Sequence, residues 1–245
     1  MPTTATKPTS GSKPTALVTG ASRGLGLALT EALVAAGWQV VVDGRHADTL
    51  TAAVTSLGDS VHTVAGDVGE EAHRAALVDR ARRLGGVDLV VHNAGVLGPS
   101  PQPSMGDYPL GELRRVFDIN VFAPLRLTQL LDPVLRPGAT VVAITSDAAV
   151  EPYEGWGGYG SAKAALEQAF AVFAAERPDL HVYRIDPGDM RTQMHQEAFP
   201  GEDISDRPPA AASVPAILAI LADRPPSGRY ATERYTNPDP KAVPA

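Results

Sequence analysis

Short apolar runs alternate along this chain with longer stretches whose apolar positions recur three and four residues apart. The first kind reads as a buried strand and the second as an amphipathic helix. Strands are expected at Ala16–Thr19, Gln39–Val42, Val61–Ala65, Val87–His92, Ala139–Thr145 and His181–Ile185. Helices are expected between them at about Leu25–Ala36, with Gly37 as its stop, Ala47–Leu57 and Glu70–Leu84. Two more follow at Leu110–Leu131, which Pro124 should bend, and at Tyr159–Glu176. Strict alternation of apolar strand and amphipathic helix predicts a doubly wound parallel sheet of the Rossmann type, three layers deep. The rhythm breaks at Asp189–Pro209, a polar, proline-bearing segment of the length expected of a substrate lid. A helix at Ala210–Ala222 and a short strand at Arg229–Ala231 should close the fold. No linker divides the chain, so residues 15–235 are expected to form one domain flanked by tails at 1–14 and 236–245.

Composition narrows the function. A net charge of −7 gives none of the basic surface that nucleic acid requires. The arginines at 80, 82 and 83 are expected on a solvated helix face. With no cysteine and no paired-histidine motif, thiolate chemistry is excluded and no metal site is expected. The polar segment Met1–Pro14 lacks the apolar core of a signal peptide, and no stretch nears the length of a membrane span. A cytoplasmic protein without membrane or nucleic-acid partners is expected.

Two constellations carry chemistry. Tyr159 and Lys163 lie four residues apart at a helix start, on one face and about 5–6 Å apart. A fixed ammonium beside a phenol should pull the phenol's pKa down toward neutrality. The second is Thr19-Gly-Ala-Ser-Arg-Gly-Leu-Gly26, between the first strand and first helix. Glycines at 20, 24 and 26 permit a tight turn and close backbone approach to a diphosphate at a helix N-terminus. Their spacing differs from the general dinucleotide fingerprint. Read alone, Ser146 could be an ordinary loop serine, Asn120 a solvent-facing amide, and Asn93 a turn former before Gly95.

Taken in order, these motifs resemble the short-chain dehydrogenase/reductase family in its compact single-domain form. The resemblance rests on residues 19–26, Asn93-Ala94-Gly95, Asn120, Ser146, Tyr159-x-x-x-Lys163, Pro187-Gly188 and Thr192. It implies a small-molecule oxidoreductase in which Tyr159 is the general acid or base and Lys163 both binds the nicotinamide ribose and acidifies the phenol. Ser146 would hold the substrate carbonyl and Asn120 a relay water. Cofactor contacts would come from Gly20, Ser22, Arg23, Gly24, Leu25 and Gly26 in the turn, and from Asn93, Ala94 and Gly95. Asp67 and Val68 would lie at the adenine, and Pro187, Gly188, Met190 and Thr192 at the nicotinamide. A homodimer or homotetramer is expected. The family's Asp-Gly-Gly is missing after Ser227-Gly-Arg-Tyr-Ala, so the last strand and the interface near it need not follow the family.

The cofactor is expected to be NADP(H) rather than NAD(H). Alignment of Val40–Arg45 places Gly44 where NAD-preferring relatives carry an acid, with Arg45 next and Arg23 opposite to meet a 2′-phosphate. A shift of one residue would instead make Asp43 the NAD-selecting acid. Reduction of a carbonyl is the expected reaction, and a non-catalytic dinucleotide sensor the alternative. Tyr153, Glu154 and Trp156, between the serine and the tyrosine, fit an aromatic or partly cationic substrate, and core or surface packing explains them equally well.

Overall fold

The computed structural model describes residues 13–236; apart from Lys13, Pro14 and Thr236, the expected tails lie outside the described residues. Seven strands form one sheet: β1 (Thr15–Val18), β2 (Gln39–Gly44), β3 (Val61–Ala65), β4 (Val87–His92), β5 (Leu135–Ile144), β6 (His181–Asp186) and β7 (Gly228–Ala231). Their order is β3-β2-β1-β4-β5-β6-β7, and every pairing is parallel. The doubly wound three-layer arrangement is thus the one predicted.

Alternation along the strands divides the core into two layers. Val40 and Val42 face α1 (Gly24–Ala35), α2 (Ala47–Val54) and α8 (Val214–Asp223), packing with Leu29, Leu50 and Ile217. Val41 and Val141 face the other way, against α3 (Glu71–Arg83), α5 (Ala123–Leu131) and α6 (Gly157–Glu176) through Leu77, Leu127 and Leu166. Each side chain fully buried this way stabilises the fold by roughly 1.5–3 kcal/mol. Arg82 and Arg83 are exposed and Arg80 partly so, as a solvated face requires.

The structure corrects several boundaries. β5 begins at Leu135, not Ala139, because Arg136 reaches Asp88 Oδ2 at 2.7 Å while that oxygen also accepts the Thr15 amide at 2.8 Å. The register against β4 slips between Val87 and Leu89 to fit the added residues. α2 stops at Val54 and continues as 3-10 turns to Ser60, interrupted by Gly58 at φ 67°. The expected helix Leu110–Leu131 is three pieces: α4 (Leu110–Phe117), a wider π turn (Asp118–Phe122) and α5. Pro124 starts α5 rather than bending a continuous helix, and Ala123 N–H reaches back five residues to the Asp118 carbonyl. The segment 189–209 contains a short helix, α7 (Gln193–Ala198). β7 pairs with β6 despite the missing Asp-Gly-Gly, and a last helix, α9 (Thr232–Thr236), follows it.

α6 packs tightly onto the end of β5 because its first turn is rich in glycine. A Cβ on Gly160 would lie 2.6 Å from the Ala148 carbonyl oxygen, a backbone atom that cannot swing away. Gly160 therefore sets how closely Tyr159 approaches the turn bearing Ser146. No helix among the described residues is long and apolar enough to cross a membrane.

Candidate active site

The carboxyl ends of parallel strands share one edge, and a cavity of about 690 Å³ lies along it. Of the residues singled out in the sequence, Gly20, Ser22, Arg23, Gly24, Leu25, Arg45, Asp67, Val68, Asn93, Ala94, Gly95, Ser146, Tyr159, Lys163, Pro187, Gly188, Met190 and Thr192 line it. Gly26 and Asn120 do not. A Cβ on Gly26 would meet the Gly20 carbonyl oxygen and Asn93 Nδ2, both at 2.5 Å, so this glycine lets α1 close on the turn. Asn120 is buried, with both ends of its amide bound to the backbone of Val96 at 2.8 Å. Its side chain braces the loop after β4 and is not a solvent-facing amide.

The glycine-rich turn is built to leave amides open. Gly20 and Gly24 adopt φ of 70° and 56°, a region that costs other residues energy. α1 has no side-chain N-cap and no acid in its first turn. Asn93 is more than a turn former: its Nδ2 donates to the carbonyls of Thr19 at 2.9 Å and Gly20 at 3.2 Å, tying β4 to this turn. Arg23 donates to the Gln193 side chain of α7.

Asp43 lines the same cavity with both of its oxygens engaged. It is buried, one oxygen accepts the Gly20 amide at 2.5 Å, and the other meets His73 Nε2 at 3.1 Å. Gly44 faces Ser22 and Leu50, while Arg45 is exposed and makes no ion pair among the described residues.

At the other end, Tyr159 is buried between Leu97, Ala148 and Trp156, and its hydroxyl makes no hydrogen bond among the described residues. Lys163 is buried below it, with Nζ 5.5 Å from the ring centroid and donating to the Ile144 carbonyl at 2.7 Å. Ser146 donates to Asp147 Oδ1 at 2.8 Å. Glu154 does not line the cavity, whereas Asp147 does. Asp147 passed unnoticed in the sequence, where its one signal is its place directly after Ser146.

Behind this wall, Arg229 of β7 joins three elements. It donates to Glu167 at 2.9 Å, to Asp186 at 3.1 Å and to the Ser146 carbonyl at 3.2 Å. Nothing in the sequence pattern pairs these residues, because the contact spans 62 positions to Glu167 and 43 to Asp186.

Comparison with known proteins agrees with this geometry. The sequence model described as short chain dehydrogenase matches residues 14–203, a span that contains every cavity residue named above. The chain belongs to the short-chain dehydrogenase family. It is 38% identical over 188 residues to serine 3-dehydrogenase of Rhizobium radiobacter, covering 73% of each chain. It is 33% identical over 185 residues to 7alpha-hydroxysteroid dehydrogenase of Escherichia coli K12, covering 72% of this chain and 71% of that one. A short-chain dehydrogenase of Shigella flexneri, solved in complex with NADP, superposes with a TM-score of 0.83 at 28% identity, over 91% of this chain and 98% of that one. Another, from Escherichia coli CFT073 in complex with NADPH, gives 0.83 and 28% over 91% and 97%.

For a short-chain dehydrogenase the electrostatics hold a surprise. Burial pushes the Tyr159 phenol above its ordinary value, and the Asp186 and Asp147 carboxylates push it further the same way. The expected lowering by Lys163 does not prevail in the protein itself. The ammonium is itself disfavoured by burial and falls to about 8, against the pull of Glu167.

That penalty is measurable. Lys163→Met should raise stability at pH 7 by on the order of 1–2 kcal/mol, the buried-charge cost less the hydrogen bond to Ile144. Below about pH 8 the native lysine is charged and the penalty is whole. Between about 8 and 10.5 the folded chain sheds this proton before the unfolded chain does, so wild type gains stability and the gap closes. Thermal melts of both proteins from pH 6 to 10.5 check this; a gap that stays constant with pH would show that the lysine carries no such cost.

Proposed function

We propose that the protein is an NADP(H)-dependent oxidoreductase that interconverts a small-molecule carbonyl and its alcohol, with Tyr159 as the general acid and base. The observation that carries this reading is the meeting, in one cavity, of an uncapped helix start behind a glycine turn with Ser146, Tyr159 and Lys163. The nicotinamide, when bound, supplies or accepts the hydride. Every other task falls to the chain's own side chains and amides.

The open amides of Ser22–Leu25 suit a diphosphate. Asp67 and Val68 would border the adenine, and the amides after Pro187 the carboxamide. Lys163 would bind the nicotinamide ribose while its charge faces the phenol. As hydride reaches the carbonyl carbon, negative charge grows on oxygen, where Tyr159 gives its proton and Ser146 can add a second donor. Burial and nearby carboxylates keep the phenol in the protonated form from which that donation starts. Asn120 would hold a water in the proton relay behind Lys163.

Tyr159→Phe should lower turnover by at least about 10²-fold, as expected for loss of general acid catalysis. Cofactor affinity, read by fluorescence titration, should change little. A variant that keeps a tenth of the wild-type rate would remove Tyr159 from the chemistry.

Preference for NADP(H) rests on Arg45 and Arg23 beside Gly44, with Asp43 buried under the turn. Arg45→Ala should reduce kcat/KM with NADPH by about tenfold and leave NADH nearly unaffected, since a charge-assisted phosphate contact contributes about 1.5–3 kcal/mol. Asp43→Asn should weaken both cofactors alike. Wild type already favouring NADH would mean that Asp43 reads the ribose after all.

Residues 189–209 would act as a lid. Thr192 caps α7 through the His195 amide at 3.2 Å, and Arg23 holds Gln193, so the cofactor turn and the lid are linked. Amide hydrogen exchange across this segment should slow when NADPH and a ketone are both present; equal exchange with and without them would rule the lid out.

A further inference from the structure

The catalytic serine's only proton is given to a carboxylate. Ser146 Oγ donates to Asp147 Oδ1 at 2.8 Å, and that oxygen also accepts the Ala148 amide at 2.8 Å. The other oxygen accepts the Tyr153 hydroxyl at 2.9 Å. Asp147 is exposed on the cavity wall and makes no ion pair among the described residues. A serine hydroxyl carries one hydrogen, so while it serves Asp147 it cannot serve a substrate oxygen.

We propose that Asp147 selects the substrate by charge, receiving a protonated amine that lies one or two carbons from the carbonyl being reduced. This rests on the oxidoreductase reading above. An ammonium brings several donors and a full charge, so it displaces the serine from Asp147 and frees that hydroxyl for the carbonyl oxygen. Recognition and activation are then one event. The wall beyond fits the rest of such a molecule. Trp156 stands edge-on to Tyr159 at 5.9 Å and meets Phe199 at 5.9 Å, with Leu97 and Met194 nearby, a surface suited to an aryl group and to a cation. The substrate class is therefore aryl amino ketones, and the products are amino alcohols.

Other charges on this wall do not cancel the effect. Asp186 is bound by Arg229, and Asp189 lies 3.5 Å from Arg207 and 3.9 Å from His195. Glu197 accepts from Gln193. Of the cations lining the cavity, Arg191, which would favour a carboxylate, turns to the Ser205 carbonyl at 3.4 Å, and Lys163 is held by the Ile144 carbonyl at 2.7 Å.

The test uses three aryl ketones of matched size with NADPH: β-aminopropiophenone, butyrophenone and β-benzoylpropionate. In wild type kcat/KM should fall in that order, by about fivefold per step at low salt, as for an exposed charge pair, and the steps should shrink as salt rises. Asp147→Asn should move the two charged ketones in opposite directions, slowing the ammonium and speeding the carboxylate, until the three are nearly equal. A purely structural role would slow all three together, and wild type preferring the carboxylate would put Arg191 in charge; either result overturns the proposal. Binding of the same ketones, followed by tryptophan fluorescence, reads the charge order without turnover. If that order holds and Asp147→Asn removes it while no ketone is reduced, the oxidoreductase reading falls and the charge site stands. If reduction proceeds with no charge order, the charge site falls alone.

Discussion

A full positive charge kept inside the protein, the Lys163 ammonium, sets the terms for the structure around it. An uncompensated interior charge costs several kcal/mol, so the surroundings must answer it. The Ile144 carbonyl does so directly, and Glu167 does so from one turn further along α6. Glu167 is itself buried and would be costly alone. It accepts from Thr145 at the end of β5 and from Arg229 on β7. Arg229 in turn neutralises Asp186 at the end of β6 and holds the Ser146 carbonyl. One requirement, a cation beneath a phenol, thus propagates through salt bridges until three strand ends and a helix are tied together. Such buried pairs add little net stability compared with an apolar core. What they fix is position.

The sheet explains why position can be fixed at all. Because every strand runs the same way, the carboxyl ends of β1 to β6 emerge along one edge, each followed by a residue named in the site: Gly20, Arg45, Asp67, Asn93, Ser146 and Pro187. Burial of valines and leucines on both faces holds the strands, and the polar ends are carried along. The stability comes from the layers and the chemistry from the rim. A helix start such as Gly157–Gly160 belongs to both, since its small residues let α6 reach the rim without disturbing the layers below.

Local signals were legible in the sequence and long-range ones were not. Strand and helix alternation, the glycine turn and the Tyr159–Lys163 spacing are encoded within a few neighbours, and the doubly wound sheet took the form expected. The π turn at Asp118–Phe122 escaped because Pro124 reads equally well as a kink or as the first turn of a new helix. The extension of β5 depended on Arg136 finding Asp88, 48 residues away. The direction of the Tyr159 shift failed for a deeper reason. Spacing shows that a lysine is near, but desolvation and the carboxylates of Asp186 and Asp147, which raise the phenol's pKa, are properties of the packed interior. Asp147 itself was visible as a letter, and only the direction of the Ser146 hydroxyl gives it meaning.

Asp43 and Gly44 show how one position in a strand decides chemistry. Successive strand residues point to opposite faces, so a shift of one residue exchanges the two layers. Asp43 lies on the face of Val41, toward α3, and there His73 of α3 and the Gly20 amide take both of its oxygens. Gly44 lies on the face of Val42, against Ser22 and Leu50, on the side from which the glycine turn is reached. An acid on the second face could meet a ribose. On the first it becomes an internal strut that holds the turn in shape. The same carboxylate, one residue earlier, therefore becomes part of the frame that the glycine turn rests on.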